Sequence, residues 1–204
     1  TMNGQPVARD NYLKKLIAFR DSDVIKVVTG MRRCGKSTLL DMMRSYLAKD
    51  GVPTECLLSF RMESFDLEGI RDWRELYRHV VERMPSSGKC YLFFDELQEV
   101  ASWEKAINAL RVDKDCDIYI TGSNAFLLSS EIATLISGRY VEIRMHPLSF
   151  SEYLDFLGPT EITSRYAVFG REEITPLDEL LDRYLKFGGL PYLAISGLPE
   201  REMK

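Results

Sequence analysis

Apolar residues recur at helical spacing over Tyr12, Leu13, Leu16 and Ile17, which predicts an amphipathic first helix. A β-rich run from Val24 to Thr29 follows. Next come a glycine-bounded loop and a helix carrying Leu39, Leu40, Met43, Tyr46 and Leu47, stopped by Gly51 and Pro53. The pattern then repeats: a strand over about Glu55 to Arg61, a helix with Trp73, Leu76, Tyr77, Val80, Val81 and Met84, and a breaker at Pro85-Ser86-Ser87-Gly88. The wholly apolar run Tyr91 to Phe94 predicts a strand buried on both faces, as a central parallel strand is. A helical stripe at Trp103, Ala106, Ile107 and Leu110 leads to strands at Asp117 to Thr121 and Tyr140 to Met145. Five strands alternating with helices predict an α/β fold, a parallel sheet covered by helices with ligands at the carboxyl ends of its strands.

Past Pro147 the strand signal stops. Ser149 and Glu152 form a capping box before Phe150, Tyr153, Leu154 and Leu157, and Thr175-Pro176 opens a further helix ended by Gly188-Gly189. The expected organisation is a core over residues 1–145 and a small helical subdomain over 146–204. Thr1, which precedes a methionine, is set aside as an expression remnant, and the stop at Lys204 without a turn signal suggests truncation.

Composition adds exclusions. With 45% hydrophobic and 28% charged residues the chain is globular rather than disordered or fibrous. A net charge of −4 argues against wholesale coating of nucleic acid or an anionic membrane, leaving only a local basic patch open. The four cysteines form no C-x-x-C pair and stand beside only two histidines, which argues against a zinc site or a disulfide framework. No apolar run is long enough to span a membrane and the start has no signal-peptide stretch, so the expected location is the cytoplasm.

The chemistry lies in two motifs. GMRRCGKS, Gly30 to Ser37, satisfies G-x-x-x-x-G-K-S/T between a predicted strand and a predicted helix. In that setting the backbone N–H groups of Gly30, Met31, Arg32, Arg33, Cys34 and Gly35 and the helix N-terminus converge on phosphates. Lys36 would reach the β- and γ-phosphates, and Ser37, followed by Thr38, would place its hydroxyl on Mg2+. Cys34, at a helix N-terminus beside Lys36, is either a thiol of lowered pKa or a small loop-lining residue. YLFFDE, Tyr91 to Glu96, is the second motif. Asp95 at the tip of a buried strand suits a carboxylate that holds the metal, and Glu96 suits a base for an attacking water. Asp95 follows Gly30 by 65 positions, a stretch containing one strand, expected to separate the two motifs in the sheet as in additional-strand ATPases.

VVTGMRRCGKSTLL, YLFFDELQEVASWEKAINAL, YITGSNAFLLSS, SGRYVEIRMHPLSFSEYL and KFGGLPYL, in that order, resemble the AAA-type ATPase family of bacteria and archaea over about residues 9 to 195. The resemblance implies a P-loop ATPase core of AAA+-like strand order, a helical lid and a missing C-terminal region. It implies ATP with Mg2+ as cofactors, a γ-phosphate sensor at Asn124 with Ser123 as the alternative, and an arginine finger at Arg139, which chemistry alone leaves equal to a surface arginine. A homo-oligomer through Arg139 and a protein partner follow from it, as does a position beside the adenine for Arg9 and Tyr12. The chain has no N/T-K-x-D element that would read guanine. Three functions stay open: an Mg2+-dependent ATPase, a slow nucleotide-gated interaction module, and a nucleic-acid-stimulated ATPase.

Overall fold

In the computed structural model the described residues are 9–64, 67, 69–122, 138–157 and 176–191. They divide into two compact units. One is Asp10–Met31 with Lys36–Met145, and the other joins Arg9, Arg32–Gly35 and the residues from His146 onward.

The larger unit is a five-stranded sheet flanked by helices. Its strands are β1 Ile25–Gly30, β2 Leu57–Arg61, β3 Cys90–Asp95, β4 Cys116–Gly122 and β5 Tyr140–Met145, and its helices are α1 Asp10–Ala18, α2 Lys36–Lys49, α3 Trp73–Val81 and α4 Trp103–Asp113. Every pairing is parallel, in the order β2-β3-β4-β1-β5. The expectation that the strand following α2 separates the two motifs is corrected here: β2 lies at the sheet edge beyond β3, and β4 stands between β1 and β3. Polarity explains the placement. In β2 Ser59 and Arg61 are exposed, whereas β1, β3 and β4 are buried along nearly their whole length. A strand without polar outward positions belongs in the middle.

Leu76 and Val80 of α3 and Trp103, Ala106, Ile107 and Leu110 of α4 pack with Phe60, Leu92, Phe94, Ile118 and Ile120 into one apolar cluster. Leu39, Leu40, Met43 and Leu47 of α2 are buried outside that cluster, alongside β1 and β4. Asp72 caps α3, its carboxylate accepting from the N–H groups of Arg74 and Glu75 at 2.8 and 3.0 Å. β2 begins two residues later than its apolar pattern suggests, because Pro53 opens a single 3-10 turn over Thr54–Cys56.

At the amino ends of β1 and β4 a charge pair is sealed in. Lys26 and Asp117 are almost fully buried and ion-paired. Lys26 Nζ also donates to Ser22 O at 3.1 Å, while Asp117 accepts from Asp21 N and Tyr119 Oη, both at 2.9 Å. Burial holds the Lys26 ammonium below its usual pKa against the opposing pull of Asp117, and pushes the Tyr119 hydroxyl well above its own.

The smaller unit contains α5 Phe150–Leu157 and α6 Pro176–Phe187. The capping box at α5 is formed: Ser149 N donates to Glu152 Oε2 at 2.8 Å and Glu152 N to Ser149 Oγ at 3.3 Å. Gly188 ends α6 with φ 83°, its N–H donating to Tyr184 O at 2.8 Å. Gly189 follows for a different reason. A Cβ there would stand 2.3 Å from Leu148 O and 3.0 Å from Tyr184 Cε2, so only glycine lets the chain approach this closely. No helix among the described residues is long and apolar enough to cross a membrane.

Candidate functional site

β1 delivers Gly30 to the carboxyl edge of the sheet, and the chain re-enters as α2 at Lys36. Between them Arg33 and Gly35 take left-handed backbone, at φ 65° and 98°. Such an alternation turns successive N–H groups toward one side, the geometry of an anion nest. Ser37 and Thr38 are exposed on the first turn of α2, as are Met31, Arg32 and Arg33 on the loop.

Lys36 is buried, 5% exposed, with its ammonium bent back under the loop. Nζ donates to Gly30 O and Met31 O, each at 3.2 Å, and stands 3.7 Å from Glu96 Oε1. The lysine of the first motif and the second carboxylate of the second therefore meet, although they lie 60 positions apart in the chain. Parallel pairing of β3 with β4 and of β4 with β1 brings both motifs to the same edge.

Asp95 closes β3, and its Oδ1 accepts from the hydroxyl of Thr121. The same hydroxyl oxygen accepts from Glu96 N at 3.1 Å. Thr121, fully buried near the end of β4, thus ties the Asp95 carboxylate and the following backbone together. Its role was not read from the sequence, though a polar residue near the tip of an apolar strand was a visible signal. A notch of about 190 Å³ lined by Arg61, Met62, Glu63, Ser64, Asp95 and Glu96 opens beside the two carboxylates.

Asn124 and its alternative Ser123 lie outside the described residues. Arg139 stands away from the loop. Its carbonyl accepts from Ile25 N at 2.9 Å, and β5 pairs with β1 from Ile25↔Tyr140 to Gly30↔Met145. The arginine is thus at the amino end of the sheet, a strand length of about 17 Å from Gly30. Its guanidinium, 57% exposed, is 4.0 Å from Asp23.

In the smaller unit Arg9 is 6% exposed and committed to protein acceptors. Nε and Nη2 hold Glu152 at 2.9 and 3.0 Å, while Nη1 donates to His146 O at 2.7 Å and to Cys34 O at 3.3 Å. Arg9 is therefore an organiser of the loop tip and of the start of α5. Burial alone would raise the Glu152 carboxyl, but Arg9 and the Ser149 N–H outweigh it and hold the group below its ordinary pKa. Cys34 is fully buried. A thiol without solvent access suits the second of its two readings, a small residue packed into the loop.

Comparison with known proteins agrees with this architecture. A family model described as an AAA domain matches residues 22–154. An uncharacterized protein of Haemophilus influenzae is 44% identical over 202 residues, covering 98% of this chain and 48% of the relative. Another, of Methanocaldococcus jannaschii, is 32% identical over 171 residues, covering 84% of this chain and 36% of the relative. The chain thus spans half or less of the length of these relatives. Among solved structures, a Walker-type ATPase of Pyrococcus abyssi superposes with a TM-score of 0.63 at 17% identity, over 97% of this chain and 69% of that one. Hsp104 of S. cerevisiae, in its casein complex, gives 0.60 at 15% identity, over 93% and 36%. Identities this low show a shared fold.

Proposed function

The chain belongs to the AAA-domain family, and from that premise we propose that it binds ATP on the loop Gly30–Ser37 and hydrolyses it in the presence of Mg2+. The observation that carries the reading is the meeting of Lys36 with Glu96 at the carboxyl edge of the sheet, 3.7 Å apart, beside Asp95. The residues present suit the cation. Ser37 and Asp95 offer hard oxygen donors, and no group of three or more His, Cys, Asp or Glu side chains among the described residues forms a closed metal cage. Mg2+ is commonly held by one or two protein oxygens together with the phosphates, and when bound it neutralises their charge.

Within this reading the N–H groups of Gly30 to Gly35 cradle the phosphates, with Lys36 turning from its loop carbonyls to the β- and γ-phosphate oxygens. Thr38 continues the helix N-terminus. Glu96 accepts a proton from water as the water oxygen bonds to the terminal phosphorus and the bridging oxygen leaves with ADP. Asn124, or Ser123, contacts the γ-phosphate. Arg139 cannot reach its own loop from the far end of the sheet, so it serves as a finger only in the site of a neighbouring copy. Residues 146–204 act as a lid whose movement is passed to a protein partner.

Turnover tests the assignment. Glu96→Gln should bind MgATP as the parent does and lose about 10²–10⁴-fold in kcat. Turnover that survives this substitution removes Glu96 from the base role.

A further inference from the structure

β3 does not simply end at Asp95. Glu96 takes a left-handed backbone, φ 55° and ψ 45°, and the chain runs into a 3-10 turn over Leu97–Glu99, anchored by Leu97 and Val100 in the core. That turn swings Gln98 back over its neighbour two residues earlier. Gln98 Nε2 donates to Glu96 Oε2, while Glu96 Oε1 faces Lys36 Nζ at 3.7 Å. The orientation of the amide follows from chemistry, since only its NH2 end can face a carboxylate. Its other end, Gln98 Oε1, is buried with no hydrogen-bond partner among the described residues.

Two features that lower stability thus sit side by side: a left-handed non-glycine residue and a buried carbonyl unpaired among the described residues. A leucine at position 98 would fill similar space without the second of them. Strain and orphaned polar atoms gather where function requires them. The one thing the glutamine supplies here that an apolar side chain cannot is a hydrogen bond to Glu96.

We propose that Gln98 is the positioning residue of Glu96: its amide NH2 holds Oε2 so that Oε1 stays turned toward Lys36 and the phosphate loop, ready to take the proton of the attacking water. The inference rests on the proposed hydrolysis with Glu96 as base. A carboxylate side chain has several rotamers and two equivalent oxygens. Thr121 fixes only the backbone N–H of Glu96, and Lys36 has phosphates to serve. Gln98 therefore decides where the carboxylate points. A base displaced by about 1 Å loses on the order of 10²-fold in rate.

The test is Gln98→Leu in the full-length protein, with Gln98→Met as an unbranched second variant and Glu96→Gln as the reference. Thermal midpoint, MgATP affinity, KM and kcat are measured for each, and for Gln98→Leu combined with Glu96→Gln. The expected result is a midpoint equal to or above the parent's, affinity and KM within about 3-fold, and kcat lower by about 10–100-fold. The double variant should be no slower than Glu96→Gln alone, as two groups acting through one step require. A kcat unchanged by Gln98→Leu and Gln98→Met, with Glu96→Gln inactive, overturns the positioning role and leaves the base assignment standing. Losses that multiply in the double variant, or midpoint and affinity falling together with kcat, show a structural role and also overturn it. Full turnover by Glu96→Gln removes Glu96 from the base role and overturns the inference with it, while ATP hydrolysis itself still stands.

Discussion

Replacing Asp117 by Asn should unfold the protein far more easily at neutral pH than at high pH. The substitution keeps the shape and an acceptor for Asp21 N and Tyr119 Oη, but leaves Lys26 charged, fully buried and opposed by an amide NH2. Among the described residues Ser22 O, at 3.1 Å, remains as its hydrogen-bond acceptor, with the Tyr119 ring centroid 5.5 Å away. Breaking a buried pair from one side costs about 3–5 kcal/mol, against a total stability of about 5–15 kcal/mol for an ordinary domain. At about 2–4 °C per kcal/mol for this size, the midpoint should fall by about 6–20 °C. The pH dependence follows from the lysine. Burial already holds its pKa down and Asp117 opposes that, so the variant lowers it further. The unfolded chain then binds more protons than the folded one, stability rises with pH, and the penalty fades as pH approaches the unfolded lysine value of about 10.4. Urea titrations followed by tryptophan fluorescence report on this unit, because both tryptophans, Trp73 and Trp103, belong to it. A loss below about 1 kcal/mol at neutral pH, or an equal loss at both ends of the range, would refute the claim that an uncompensated ammonium sets the cost.

Other outcomes follow from single contacts. Gly189→Ala forces a methyl to 2.3 Å from Leu148 O, and the backbone shift should destabilise the smaller unit by about 1–3 kcal/mol, read as faster proteolytic cleavage there; parent-like resistance would contradict the close approach. The lowered pKa of Glu152 adds stability that is complete above the ordinary carboxyl value of about 4.3 and is lost as pH falls through the folded value. Arg9→Met should flatten that acid limb in urea titrations, and an unchanged limb would mean that Arg9 does not hold the carboxylate. Arg139→Ala should reduce turnover only at protein concentrations where copies associate, with MgATP affinity unchanged; an equal reduction in dilute, monomeric samples would exclude action on a neighbour.

Local chemistry was legible in the sequence wherever it depends on residues close in the chain. Ser149 and Glu152 three positions apart gave the capping box, and the breakers Gly51 and Gly188 marked where helices stop. The spacing from Gly30 to Ser37 marked a loop that the strand and helix on either side do form. Long-range choices were not legible. β2 goes to the edge because Ser59 and Arg61 tolerate water, and that consequence emerges only when four other strands compete for the centre. Lys26 and Asp117 look like ordinary polar strand positions until pairing of β1 with β4 closes 91 residues of chain around them. Cys34 shows the same limit from the other side: its place at a helix N-terminus is local and correct, while its complete burial is a property of the fold. Gln98 carried no signal, since its partner is set by a left-handed turn at Glu96 that no residue type announces.

The most direct test of the central claim is calorimetric titration of the folded full-length protein with MgATP, beside Lys36→Ala. Saturable one-site binding by the parent is expected, with affinity reduced at least about 10-fold by removal of the ammonium. Absence of heat at millimolar MgATP, or parent-like affinity in Lys36→Ala, would contradict the assignment of Gly30–Ser37 as the cradle for the phosphates.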